Sequence, residues 1–160
     1  MKLLRPSSFK DSIEDIDLVE LSKKGKKNLL IDLEGTIVPK ETWEISPEKL
    51  GWINKAKELG FGICIISNTI FMKRSEDISR KLGAPIIIAA LKPLTISFKR
   101  ALKILNGRRS DSVVIGDQLF MDILGGNLSG IETIYVKHIT PERHPLRKFM
   151  RWIEQRVCKS

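Results

Sequence analysis

Leu29-Leu30-Ile31-Asp32-Leu33-Glu34-Gly35-Thr36-Ile37 is an apolar run that breaks into two carboxylates and a Gly-Thr. A run of this length and flanks reads as a buried parallel strand, which puts Asp32 and Glu34 where the strand leaves the sheet. That edge is where open α/β sheets bind ligands. Carboxylates are expensive to bury, so a buried pair there neutralises a metal or titrates in catalysis. An ordinary acidic turn fits the same residues, and the decision falls to the rest of the chain.

Downstream, apolar runs alternate with helical patterns, which argues for βα units around a parallel sheet. The first strand spans 28–32. Ser46 is placed to cap a helix with Pro47 at its first position, Leu50, Ile53, Ala56 and Leu59 form its buried stripe, and Gly60 ends it. A strand over 61–67 follows. Phe71, Ser75, Ile78 and Leu82 then mark one helix face that stops at Gly83. Residues 85–89 make a third strand. Leu94, Phe98, Ala101, Leu102 and Leu105 repeat at helical spacing, strands cover 112–116 and 131–136, and a short helix spans 120–127. Before all this, residues 1–27 read as an irregular arm ending in a short helix, with Asp17 and Glu20 spaced as a capping box and Gly25 as terminator. Residues 140–160 read as a basic amphipathic helix, with Leu146, Phe149, Met150, Ile153 and Val157 on one face of the segment 141–157. Such a helix packs on its own domain or lies on a membrane surface or partner.

The 160 residues and 42% hydrophobic content suit a single domain, 1–160, with one core. No apolar stretch approaches the roughly 20 residues that cross a bilayer, and the N-terminus lacks the apolar centre of a signal peptide. A cytoplasmic location is the expectation. Two cysteines, Cys64 in an apolar run and Cys158 near the end, give neither a disulfide framework nor spaced metal ligands. A formal charge of +9 favours anionic partners. With few aromatics and no base-stacking surface, a specific nucleic-acid partner is not expected.

The successive strand ends carry Asp32 with Glu34, Ser67-Asn68, Lys92, and Gly116-Asp117 with Asp122 beyond. In a parallel sheet all project from one edge. A carboxylate nucleophile, hydroxyl and amide donors, an ammonium and further acids suit phosphoryl transfer, where catalysis is mostly positioning and charge neutralisation. Mg²⁺ is the matching cation, since it takes carboxylate oxygens and bridges to phosphate.

In this order the residues resemble the haloacid dehalogenase superfamily of phosphatases, whose first motif reads D-x-D-x-T. The match is Asp32-Leu33-Glu34-Gly35-Thr36, Ser67, Lys92 and Gly116-Asp117, and the string from Val114 to Asn127 is similar to the small YqeG-type branch related to phosphatidylglycerophosphate phosphatases. The resemblance implies a Rossmann-like fold, a five-stranded parallel sheet flanked by helices, with little or no cap domain. Only the short connection 37–45 separates the first strand from its helix, which agrees. It further implies that Asp32 attacks phosphorus and that Glu34 is general acid and base. Thr36 would orient the loop. Ser67, Asn68 and Lys92 would bind the phosphoryl group, with Lys92 also neutralising charge. Mg²⁺ would be held by Asp32, the main-chain carbonyl of Glu34 and Asp117, with Asp122 behind them. The implied partner is a phosphorylated substrate, with phosphatidylglycerophosphate as candidate and peripheral membrane contact through the basic tail.

Glu34 departs from the family's Asp by one methylene, and misplacement by about 1 Å can cost on the order of 100-fold in rate. Met121 stands where the branch carries Thr. These departures keep open a second class, a phosphate-, lipid- or protein-binding module with little turnover. A receiver-like signalling domain is disfavoured, because its phosphorylated Asp ends a later strand. His138 and His144 lie beyond the fifth strand and read as surface or tail residues, and Trp43 reads equally as site edge or packing.

Overall fold

Asn28, Leu29, Leu30, Ile31 and Asp32 are all buried, as a strand covered on both faces requires. A computed structural model describes residues 2–140 and 145–159, the last two without their side chains. The strands are β1 (Ser8–Lys10), β2 (Asn28–Asp32), β3 (Gly62–Ile66), β4 (Ile86–Ile87), β5 (Ser112–Gly116) and β6 (Glu132–Val136). They form one six-stranded sheet in the order β1-β6-β5-β2-β3-β4, and every pairing is parallel. Five strands were expected, and the sixth comes from the arm. Ser8-Phe9-Lys10 is too short to show a period and becomes a strand by pairing with Ile134, Tyr135 and Val136.

The helices are α1 (Leu18–Lys23), α2 (Pro47–Glu58), α3 (Met72–Leu82), α4 (Ile96–Ile104), α5 (Leu124–Leu128) and α6 (Pro145–Lys159). Asp17 caps α1 by accepting from the Glu20 amide, and Ser46 caps α2 by accepting from Lys49. Alternate strand residues feed two cores. Leu29, Ile31, Ile63, Ile65, Val113 and Ile115 pack with α1, α2 and α3. Leu30, Cys64, Ile66 and Val114 pack with Phe98, Ala101 and Leu102 of α4. Burial pushes the Cys64 thiol up to about 12, so it is inert filler.

Three expected core positions are exposed instead. Leu59 lies just past the end of α2, and Phe71 and Leu94 precede the first turns of α3 and α4, so none lies on a helix face. Trp52 takes up the packing on α2 and donates its indole N–H to the Ile16 carbonyl at 3.1 Å. Strand β4 is shorter than expected because Ala89 and Leu91 turn the chain at φ 45° and 54°. Trp43 is buried, edge-on to Phe71 with Arg74 over its ring, which settles it as packing. The connection 33–46 between β2 and α2 carries no cap domain. Arg143, His144 and the Cys158 side chain lie outside the described residues, as does the expected helix start over 141–144.

Candidate active site

Because β2 lies between β3 and β5 in register, Asp32 opposite Ile66 and Ile31 opposite Ile115, the residues that leave these strands meet at one edge. There the carboxylates of Asp32, Asp117 and Asp122 bring an oxygen each to within 4.8 Å of one another, all three buried. Asp122 was expected behind such a group and lies within it. A π-helical turn, Leu119–Ile123, swings it back over the end of β5, and Gln118 N–H donates to its Oδ2 at 3.1 Å. Gly116 leaves the room, since a side chain there would strike the Asp122 carboxylate.

Lys92 enters from the loop after β4. Its ammonium lies 2.6 Å from Asp32 Oδ1, 2.6 Å from Asp122 Oδ1 and 3.0 Å from the Ile66 carbonyl oxygen. Asn68, expected to bind substrate, spends its amide on the Lys92 main chain, accepting from its N–H at 2.9 Å and reaching its carbonyl oxygen at 3.4 Å. The Ser67 hydroxyl is buried beside it and accepts from the Thr69 amide at 3.1 Å. Thr36 Oγ1 lies 3.1 Å from Asp32 Oδ2 and 3.2 Å from Asp117 Oδ1. A hydroxyl has one proton, so it satisfies one carboxylate at a time.

These contacts set the protonation. Burial and the neighbouring Asp122 charge push Asp32 well above the usual carboxylate range, against the pull of Lys92. Asp122 is raised by burial as well. Lys92 is raised because the two carboxylates outweigh the cost of burying its charge. Burial opposes ionisation of Asp117 too, but the His138 hydrogen bond and the Arg151 charge prevail and hold it at about 2.

His138, read from sequence as a surface or tail residue, is instead part of this cluster, with Nδ1 on Asp117 Oδ2. Gly35, at φ 88°, admits the imidazole, for a side chain there would meet both the ring and the Asp117 carboxylate. Arg151 of α6 adds Nη2 to Asp117 Oδ2 at 2.7 Å and Nη1 to the Asp117 carbonyl oxygen at 2.9 Å. Glu154 Oε1 accepts from the Leu119 amide at 3.0 Å. Outside His138 and Arg151 lies a cavity of about 1030 Å³ between β1, β6 and α6. Glu34 follows β2 half-buried, and its carboxylate is not part of the acidic cluster.

Three buried carboxylates with hard oxygen donors, two of them sharing one ammonium, form a group able to bind a divalent metal. No helix among the described residues is long and apolar enough to cross a membrane. The HAD-hydrolase-like family matches residues 90–158. Over 159 residues the chain is 33% identical to the Bacillus subtilis (strain 168) protein named Probable phosphatase YqeG, covering 99% of this chain and 92% of that one. In fold it is similar to 3-deoxy-D-manno-octulosonate 8-phosphate phosphatase from Yersinia pestis, at TM-score 0.59, 16% identity and 90% of each chain. The cobalt-bound deoxy-D-mannose-octulosonate 8-phosphate phosphatase of Haemophilus influenzae is similar as well, at TM-score 0.56 and 11% identity over 82% of this chain and 89% of that one. With the acidic cluster at the strand ends, this relationship across nearly the whole length shows that the chain belongs to the haloacid dehalogenase-like hydrolases and is a phosphatase of that family.

Proposed function

We propose that the protein is a Mg²⁺-dependent phosphatase that hydrolyses a phosphate monoester through an aspartyl-phosphate on Asp32. The observation that carries this reading is the charge deficit around Lys92: one ammonium between two buried carboxylates, with Asp32 pushed up by burial and by Asp122. Mg²⁺, held by Asp32, Asp117 and the Glu34 main-chain oxygen beside Asp122, would supply the missing positive charge and neutralise the phosphoryl oxygens.

In the first step an Asp32 oxygen forms a bond to phosphorus while the bond from phosphorus to the leaving oxygen breaks, and Glu34 gives that oxygen its proton. In the second, Glu34 takes a proton from water, the water oxygen attacks phosphorus, and the bond to Asp32 breaks to release inorganic phosphate. Lys92 neutralises Asp32 and the phosphoryl group through both steps, and the Ser67 hydroxyl donates to a phosphoryl oxygen. Thr36 orients the Asp32 carboxylate, and Asn68 keeps the Lys92 main chain in place.

A phospholipid monophosphate such as phosphatidylglycerophosphate is the substrate class that the rim of the site favours. The loops after β3 and β4 are stitched together by Ala89 N–H to the Thr69 carbonyl at 2.8 Å and Ala90 N–H to the Ser67 carbonyl at 3.0 Å. They hold Ile70, Phe71, Met72, Leu91, Leu94 and Ile96 in water, with Ile70 76% and Ile96 71% exposed. Exposed apolar side chains held at these strand ends suit a substrate presented at a lipid surface.

The test is phosphate release from p-nitrophenyl phosphate and from phosphatidylglycerophosphate in mixed micelles, with Mg²⁺ or EDTA, for wild type, Asp32→Asn and Glu34→Asp. Metal-dependent release that disappears in Asp32→Asn supports the mechanism, and a preference for the lipid supports the substrate class. Release that persists in EDTA or in Asp32→Asn refutes the mechanism. If Glu34 is the acid, Glu34→Asp changes turnover in either direction by an order of magnitude or more.

A further inference from the structure

Helix α6 turns charge inward along with part of its apolar stripe, for Met150, Ile153 and Val157 are half-buried on the side that carries Arg151 and Glu154. Leu146, Phe149 and Trp152 are exposed, whereas Glu154 is 3% exposed and only 17% of the Arg151 side chain reaches solvent. Burying charged groups while leaving aromatics in water is costly unless the charges meet specific partners. Here they do. The Arg151 fork grips both the carboxylate and the carbonyl oxygen of one residue, Asp117, and Glu154 accepts from Leu119 two residues along. Arg151 and His138 together take up Asp117 Oδ2, which leaves Oδ1 turned toward Thr36 and, beyond that hydroxyl, toward Asp32.

We propose that Arg151 is a positioning residue for the cation site: by locking Asp117 Oδ2 it keeps Oδ1 preset to bind metal, so that the C-terminal helix completes the active site. The inference rests on the metal-dependent reading above. Arg151 acts in two ways of opposite sign. Orienting a ligand carboxylate favours cation binding, whereas a guanidinium charge beside the cation disfavours it. Arg151→Lys keeps the charge and loses the planar fork, and Arg151→Gln loses both.

The experiment is calorimetric titration of the full chain with Mg²⁺ and Mn²⁺ in the absence of substrate. Folding is checked by circular dichroism, and kcat is measured at saturating metal. If Arg151 positions Asp117, both variants bind the cation on the order of 10- to 100-fold more weakly, the effect usual for residues that orient metal ligands. The concentration of Mg²⁺ needed for activity rises in parallel, while kcat at saturating metal falls much less. Glu154→Ala, which removes the contact at Leu119 and the 3.6 Å ion pair that steadies Arg151, weakens binding to a smaller extent, and Leu146→Gln on the exposed face leaves it unchanged. Tighter binding by Arg151→Gln with unchanged binding by Arg151→Lys means that only charge repulsion operates, and overturns the inference. So does unchanged binding in both. Should either Arg151 variant fail to fold, unchanged binding in a folded Glu154→Ala overturns it equally. A folded wild type that binds neither cation ends the metal-dependent reading and this inference with it.

Discussion

Lys92→Met removes the charge on which the strand ends depend. The ammonium sits 2.6 Å from each of Asp32 Oδ1 and Asp122 Oδ1, with only 4% of its side chain exposed. Methionine replaces the stem and leaves two buried carboxylates facing each other, and an Ile66 carbonyl without its donor. Removing one partner of a buried ion pair costs about 3–5 kcal/mol. One ammonium serving two acids argues for the upper half of that range. Protonation limits the loss, because burial already pushes Asp32 and Asp122 up and a neutral carboxyl needs no counter-ion. About 1 kcal/mol moves Tm by roughly 2–4 °C in a chain of this size, so the drop in alkaline buffer with EDTA should be on the order of 10 °C. Thermal melting followed by circular dichroism measures it. The drop should shrink in mildly acidic buffer, where the carboxyls take up protons, and also on adding Mg²⁺, which fills the same deficit. A Tm within about 2 °C of wild type in alkaline EDTA would refute the reasoning, since less than about 1 kcal/mol would then depend on Lys92.

Gly35→Ala should destabilise by at least about 1–2 kcal/mol, the cost of a left-handed backbone for a residue with a side chain. It should also weaken cation binding, because the new methyl displaces His138 and Asp117; an unchanged melt would mean the loop relaxes freely. Burial raises Glu154 from 4.5 to about 7. Between those values the folded state keeps a proton that the unfolded chain has released, so stability falls as pH rises through the window, by up to about 3 kcal/mol. In Glu154→Gln that part of the pH dependence should vanish, and identical slopes in urea titrations across the window would rule the assignment out. Asn127 donates to the carbonyl oxygens of Leu3 at 2.7 Å and Arg5 at 3.1 Å and accepts from Thr133 at 3.1 Å. Asn127→Ala should therefore cost about 1–3 kcal/mol and speed amide exchange in β1, while unchanged exchange would show that the pairing with β6 alone holds the arm.

The four longer strands were legible because each is an apolar run whose end is marked by a polar residue, and that same break placed Asp32, Ser67 and Asp117 at one edge. Strand β1 was not legible, for its three residues carry no periodicity and its strand character comes from Ile134–Val136 alongside. The site was legible where residues follow a strand directly and illegible where they arrive from afar. Arg151 lies 34 residues beyond Asp117, inside a helix whose hydrophobic stripe reads as packed on its own domain or laid on a membrane surface or partner. Hydrophobic ranking omits the free energy that a buried carboxylate offers a guanidinium, so the pattern does not show that Arg151 and Glu154 turn inward along with Met150, Ile153 and Val157. One signal was present: Glu154 is the single acid among the basic residues of that helix and follows Arg151 by three, which places the two charges side by side. His138 carried no local signal, and its role follows from Gly35, whose missing side chain makes room for the ring.

Asp117 is therefore constrained from two directions that the chain order separates. Thr36, on the loop after β2, approaches Oδ1, and His138 and Arg151, both later in the chain, approach Oδ2. The His138 hydrogen bond and the Arg151 charge each lower the cost of burying the carboxylate. Together they leave it ionised to about 2 while Asp32 and Asp122 beside it are raised. Environments that push neighbouring acids apart divide the labour among them. Asp117 is held as an anion fit to anchor a cation, whereas burial and the neighbouring Asp122 charge make ionisation of Asp32 costly. Lys92, 2.6 Å from Asp32 Oδ1, offsets part of that cost, and a cation at the cluster would offset more.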